Sequence, residues 1–128
     1  MYLLDTDVCV WVVRGRQPLI SRVSATSPDD LALASMTEAE LWYGAWKGGR
    51  ESNVLATGQF IGDIGTVLPF DSVAAKIHAE LRLALRATPI SDNDLVIAST
   101  ALASQRTLVT GNVREFSRVP GLEVESWL

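Results

Sequence analysis

Apolar and polar positions change rhythm repeatedly along this chain, and the changes mark its elements. Tyr2-Leu3-Leu4 is a short apolar run ended by Asp5 and Thr6, after which apolar residues return at helical spacing through Val8 and Trp11. That pattern predicts a strand, a sharp exit and a helix. Pro18 opens a second helix through Ile20 and Val23, and Ser27-Pro28-Asp29-Asp30 is turn chemistry. Leu31 to Ser35 reads as a second strand. A helix then starts at Thr37, carries Leu41 and Ala45, and Trp42 and Trp46, as i,i+4 pairs, and stops at Gly48-Gly49. Another helix covers Glu51 to Ile64.

The second half repeats the alternation. Thr66 to Phe70 is a short third strand, and Asp71-Ser72 caps a helix whose Val73, Ile77, Leu81 and Leu85 form one apolar stripe, the mark of scaffold. Pro89-Ile90-Ser91 leads into Asp92-Asn93-Asp94. The following stretch, Leu95 to Ala103, is apolar on most sides and therefore belongs at the centre. Thr107 to Thr110 is a buried-type strand, Gly111-Asn112 a turn, and Leu122 to Trp127 a final edge strand. Strands alternating with helices predict a three-layer α/β/α fold with a mainly parallel central sheet.

Composition narrows this picture. With 128 residues, 48% of them hydrophobic, the chain builds one core and is too short for two, so residues 1–128 are expected to form a single domain. Apolar runs break well before the ~20 residues of a membrane span, and no basic segment with an apolar signal core opens the chain, so a cytoplasmic protein is expected. Cys9 is the only cysteine, which excludes an internal disulfide or a thiolate cluster and suits a small apolar residue on a buried helix face. A net charge of -4 excludes holding nucleic acid by bulk attraction, though Arg14, Arg16, Arg22, Lys47 and Arg50, with Arg106, Arg114 and Arg118, remain available to flank a local site.

The candidate chemistry is acidic. Asp5 follows the first strand, Glu40 lies in the first turn of the helix after the second, Asp94 in the first turn of the central helix, and Asn112 follows the fourth strand. In a parallel sheet all four face the edge where ligands collect. Carboxylates gathered there repel one another unless a cation is bound, and oxygen donors without convergent His or Cys suit Mg²⁺ or Mn²⁺, which handle phosphates. A structural reading stands beside this one. Thr37-x-x-Glu40 is a capping-box pattern and Ser91-x-x-Asp94 a close variant, so both acids also suit helix capping. Asp5, directly after an apolar strand, has no equally routine structural duty. His78, mid-helix with no second His at ligand spacing, is read as structural or exposed.

At these residues the chain resembles the PIN-domain ribonucleases, in particular the VapC-type toxins of bacterial toxin–antitoxin pairs. The motifs are Leu4-Asp5-Thr6-Asp7, Thr37-Glu38-Ala39-Glu40-Leu41-Trp42-Tyr43-Gly44, Pro89 through Ala98, and Val109-Thr110-Gly111-Asn112-Val113-Arg114-Glu115-Phe116. Each is weak alone, but their order and spacing together are specific. The resemblance implies Asp5, Glu40 and Asp94 as catalytic acids that hold Mg²⁺, Glu40 directly or through water. Thr6 and Thr110 would be supporting hydroxyls, and Asn112 stands at a position often held by a fourth Asp. It further implies hydrolysis of RNA to 5′-phosphate ends, a VapB-type antitoxin as partner, with Trp11, Trp42, Tyr43 and Trp46 as a groove for it or as ordinary core, and a homodimer. Two departures bear on the site. Asp7 stands where the family usually has Asn, and Asn112 in place of Asp leaves open whether one ion or two bind, with Glu115 as a compensating acid or a surface residue. Glu38 and Asp92, two residues from a candidate ligand, point elsewhere on a helix.

Two rival readings remain. Asp5-Thr6-Asp7-Val8 also resembles the nucleophile motif of haloacid-dehalogenase-type phosphatases, but Thr110 follows the late acidic motif instead of preceding it, and no lysine lies beyond Lys76. The other rival is a non-catalytic PIN-like binding module.

Overall fold

Successive residues of a strand face opposite sides of its sheet, and this chain uses that rule to build two cores from very short strands. The computed structural model describes residues 1–128. In chain order it comprises β1 (Tyr2–Leu4), α1 (Thr6–Val13), α2 (Leu19–Ala25), β2 (Leu31–Ala34), α3 (Ser35–Gly48), α4 (Glu51–Ile64), β3 (Val67–Leu68), α5 (Ser72–Ala84), α6 (Asp92–Ala103), β4 (Thr107–Val109), α7 (Val113–Phe116) and β5 (Val124–Glu125). The strands pair in the order β3-β2-β1-β4-β5, all parallel. The three-layer α/β/α arrangement expected from the alternation is what forms.

Register and face agree throughout. Leu3, paired with Ala32 and Leu108, faces a core completed by Leu81, Leu95, Ile97, Ala101 and Phe116 from α5, α6 and α7. Leu4, paired with Val109, faces the opposite core with Leu31 and Leu33 of β2, closed by Val8 and Cys9 of α1, Leu41 of α3 and Ile61 of α4. The helix read as central is so. Leu95 through Ala101 of α6 are all buried, and the Ser99 and Thr100 hydroxyls satisfy themselves on the Leu95 and Val96 carbonyls at 2.6 and 2.9 Å. No helix is long and apolar enough to cross a membrane.

Three local expectations change. Helix α3 starts at Ser35 with Ala34 as its cap, because β2 runs straight into it; Thr37 is therefore inside the helix and buried, and Glu40 lies in the second turn, not the first. Val73 is exposed, and Ala74 takes its place on the buried stripe with Leu81 and Leu85. The third and fifth strands read from sequence are longer than those formed. β3 pairs only at Val67 and Leu68, and β5 only at Val124 and Glu125, the latter followed by a buried Trp127 ring packed edge-on against Tyr2.

The topology positions the site. The chain winds outward from β1 to β2 and β3, then crosses back to place β4 on the other side of β1. The reversal opens a crevice at the carboxyl ends of β1 and β4, the usual ligand position in such sheets. Asp5 and Thr110 are the residues that leave those two strands there.

Candidate functional site

Asp5 leaves β1 with its backbone N–H still donating to the Val109 carbonyl of β4 at 2.9 Å, so its side chain emerges at the switch point. It caps α1 by accepting from the Thr6 N–H on Oδ1 at 2.8 Å, a structural duty the sequence reading did not assign to it. Its other oxygen accepts from the Thr110 hydroxyl at 2.7 Å. Two hydrogen bonds do not offset burial. Desolvation at 5% exposure, with the nearby charges of Asp7 and Asp94, pushes the Asp5 carboxyl up to about 7 despite the Thr110 and Thr6 donors.

Thr6 ties this edge to α3. Its hydroxyl donates to Glu40 Oε1 at 2.7 Å and lies 3.2 Å from the buried Thr37 hydroxyl. A hydroxyl has one proton, which the closer carboxylate takes, so Thr37 completes the pair as donor. The capping-box reading of Thr37 and Glu40 thus gives way to a tertiary role in which both side chains meet Thr6 at the start of α1. Glu40 Oε2 also lies 3.4 Å from the Asn93 amide of α6.

For the second motif the capping reading holds and a further role coexists with it. Ser91 caps α6 by accepting from the Asp94 N–H at 3.2 Å. The Asp94 carboxyl is raised to about 6, chiefly by burial, with the Ser91 hydroxyl lowering it and the charges of Glu115 and Glu40 raising it further. Asp94 therefore lies within electrostatic reach of Asp5, Glu40 and Glu115.

The loop after β4 completes the cluster. Asn112 stands just before α7 without capping it through its side chain; its N–H donates to the Thr110 hydroxyl at 3.0 Å, and its amide contacts Glu115 Oε2. Glu115, not Asn112, is the group that turns toward Asp94. The spacing that hinted at this is the i,i+3 relation of the two residues on α7. Asp7, the other departure, joins α1 to the loop after β4. Its Oδ1 accepts from the Val8 N–H at 2.7 Å and its Oδ2 from the Gly111 N–H at 3.1 Å, and burial raises its carboxyl. Gly111 is required at that point, because a Cβ would stand 2.6 Å from Trp11 Cη2 and 2.9 Å from Asp7 Oδ2.

The excluded acids do point elsewhere. Glu38 accepts from the Trp42 indole at 3.0 Å, and exposed Asp92 sits 3.3 Å from His78 Nε2. The aromatic residues divide. Trp11 and Trp42 are half-buried against the core, while Trp46 and Tyr43 are exposed on α3. Cys9 is buried, and burial pushes its thiol well up.

This donor set fits a hard divalent cation in chemistry. It offers carboxylate oxygens, with Asp5 and Asp94 raised by desolvation and by neighbouring charge and Asp7 by desolvation, the condition a bound cation relieves. No three acidic side chains enclose a common point as a closed cage would. Mg²⁺ does not require one, since it keeps several waters and takes one or two protein carboxylates.

Comparison with known proteins gives the family. Residues 2–122 match the family model of the PIN domain. The tRNA(fMet)-specific endonuclease VapC of Salmonella typhimurium is 33% identical over 98% of this chain and 97% of its own. Ribonuclease VapC2 of Rickettsia felis is 33% identical, with 99% and 98% of the two chains covered. The crystal structure of VapBC2 from Rickettsia felis, bound to a DNA fragment from their promoter, matches with a TM-score of 0.89 at 30% identity, covering 99% of this chain and 98% of that one. The chain belongs to the PIN domain family, on its VapC branch. That membership displaces the phosphatase alternative.

Proposed function

We propose that this chain is the toxin of a type II toxin–antitoxin system, an endoribonuclease that hydrolyses RNA phosphodiester bonds, with Asp5, Glu40 and Asp94 as its catalytic acids. The observation that carries the reading is the convergence of Asp5 and Asp94, raised to about 7 and about 6, on the crevice between β1 and β4, with Glu40 drawn to the same edge by Thr6. Folding carboxylates into a desolvated edge is costly, and the capping of α1 by Asp5 accounts for only one of the three.

PIN nucleases depend on metal in general, and here Asp5 and Asp94 would hold Mg²⁺, or Mn²⁺ in its place, with Glu40 direct or through water. The ion would supply charge stabilisation at the scissile phosphate and lower the pKa of a bound water. The chain's own side chains hold the geometry. Thr110 fixes Asp5 through Oδ2, Thr6 fixes Glu40 through Oε1, and Glu40 Oε2, which faces the Asn93 amide at 3.4 Å, orients the attacking water by accepting its hydrogen. Attack on phosphorus from the side opposite O3′ breaks the P–O3′ bond, and the proton ends on the 3′-hydroxyl. The products are a 5′-phosphate and a 3′-hydroxyl. Asn112 and Glu115 are assigned to the margin of the same site, where Glu115 supplies the charge that Asn112 lacks.

The partner follows from the family. A VapB-type antitoxin would cover the crevice and set a basic group among the acids, and the toxin would act in the cytoplasm as a homodimer of single-domain subunits. Calorimetric titration with Mn²⁺ tests the site. Wild type binds, and Asp94→Asn binds at least tenfold more weakly; failure of the wild type to bind favours a non-catalytic PIN-like module.

A further inference from the structure

We infer that the groove between α1, α3 and α4 is a track for the backbone of single-stranded RNA, in which Arg14 and Arg50 hold phosphates beyond the cut. The inference rests on the ribonuclease reading and adds to it the path of the substrate. Two hollows, of about 100 and about 510 Å³, adjoin through shared walls at Val13, Arg14, Gly44 and Asn53. The inner one is lined by Glu40, so the groove opens from the catalytic edge; the outer one ends at Gly48 and Arg50.

Helix α3 forms the floor. Glu40, Gly44 and Gly48 fall at successive i,i+4 positions, and a Cβ at either glycine would meet nothing within 4 Å. The stripe runs about 12 Å. That is about three nucleotide steps at the ~3.4 Å spacing of a stacked strand, and fewer if the strand is extended.

The charges match a polyanion. In a chain of net charge -4, RNA must be drawn by local cations, and most of this chain's arginines are engaged elsewhere. Arg22 pairs with Glu125, Arg16 lies over Trp11, Arg106 is bonded to the Tyr2 and Asp30 carbonyls, Arg86 to the Leu83 carbonyl and Arg118 to the Glu115 carbonyl. Arg14 and Arg50 have no side-chain partner, and both line this groove. Unpaired Arg82 lines two other hollows, one shared with Asp92 and one with Arg86, and neither is lined by Asp5, Glu40 or Asp94; unpaired Arg114 lies on α7, outside this groove. Arg50 directly precedes α4, whose first turn has no side-chain cap and carries Glu51, which is exposed and is not among the residues that line the groove. Around Arg50 the lining is Arg, Ser, Asn and Gly with only Val13 and Ala56 apolar, a wall for a phosphate backbone and a poor one for an apolar peptide, which needs hydrophobic anchors.

The test measures binding apart from cleavage. Anisotropy of a fluorescein-labelled, randomised 15-nucleotide RNA is titrated with the Asp94→Asn chain, alone and with Arg14→Gln, Arg50→Gln or both, across salt from about 50 to 200 mM. Each arginine variant should weaken binding about fivefold, and each should lower the salt slope of log K by about 0.7. Arg50→Lys should keep the slope, and Lys76→Gln, an equal charge loss on α5, should leave both quantities unchanged. In the Asp94-intact chain, Arg14→Gln should raise KM more than it lowers kcat. Unchanged affinity and slope in the double variant, while wild type still cleaves bacterial RNA, overturns the track and leaves the ribonuclease standing. Unchanged RNA binding with weakened antitoxin binding assigns the groove to the protein partner and overturns the track. Absence of cleavage by wild type overturns both.

Discussion

Removing the charge of Asp5 should stabilise the metal-free protein at pH 8. The carboxyl is buried at the sheet edge and raised from its ordinary 3.8 to about 7, chiefly by desolvation. That difference is about 4 kcal/mol against the charged form. Asn recovers only part of it, because its single oxygen cannot accept from both the Thr6 N–H and the Thr110 hydroxyl, a loss of about 1 kcal/mol. A net gain of about 2–3 kcal/mol remains, and at about 3–5 °C per kcal/mol for a chain of this size the midpoint of Asp5→Asn should rise by about 6–15 °C. The sign with pH is fixed by linkage. A carboxyl with a raised folded pKa contributes stability that is full below its unfolded value and lost as pH rises toward about 7, so the advantage of Asn should be largest at pH 8 and shrink steeply by pH 5. Circular-dichroism melts in EDTA at the two pH values measure this. Adding Mg²⁺ at pH 8 should raise wild type and leave Asp5→Asn where it is. A variant that melts at or below wild type at pH 8, or by the same margin at both pH values, refutes the reasoning.

Other outcomes follow from the same contacts. Gly111→Ala should cost about 1–3 kcal/mol and shift Trp11 fluorescence, since the new methyl occupies the space of the Trp11 ring and the Asp7 carboxyl; unchanged melting and emission would contradict that close approach. Phe116→Ala, which empties a fully buried site where α7 meets the core, should lose about 3–5 kcal/mol in urea titration. Cys9 should stay silent to Ellman's reagent in the native protein and react only on unfolding, because burial both blocks the thiol and raises its pKa; rapid native labelling would contradict this.

Sequence alone revealed the elements whose period was unambiguous. Leu31 to Ala34 and Leu95 to Ala101 are nearly continuous apolar runs, which only a doubly covered sheet and a central helix accommodate, and the two rhythms together required the three layers that form. The same pattern misplaced the start of α3, because a strand that passes directly into a helix leaves no polar cap to mark the change, and Thr37 imitated one. It overextended β3 and β5, whose lengths are set by the neighbours available to pair with them. At the candidate site, the residues were legible but their bonds were not. That Thr6 reaches Glu40 across 34 positions, or that Asp7 holds the Gly111 N–H across 104, depends on the strand order β2-β1-β4, which periodicity does not encode. Glu115 is hard to place from sequence because α7, at four residues, is too short to show a face, and only its position beside Asp94 brings it to the cluster.

The central claim is that this chain cuts RNA by means of a metal held at the Asp5, Glu40 and Asp94 edge. The most direct test incubates total bacterial RNA with wild type and with Asp94→Asn, in Mg²⁺ and in EDTA, and sequences the 5′-phosphate ends that appear. New ends at discrete positions should arise only from wild type with Mg²⁺, while Asp94→Asn remains folded with a midpoint at or above that of wild type. The same ends from Asp94→Asn, or from wild type in EDTA, would contradict the account.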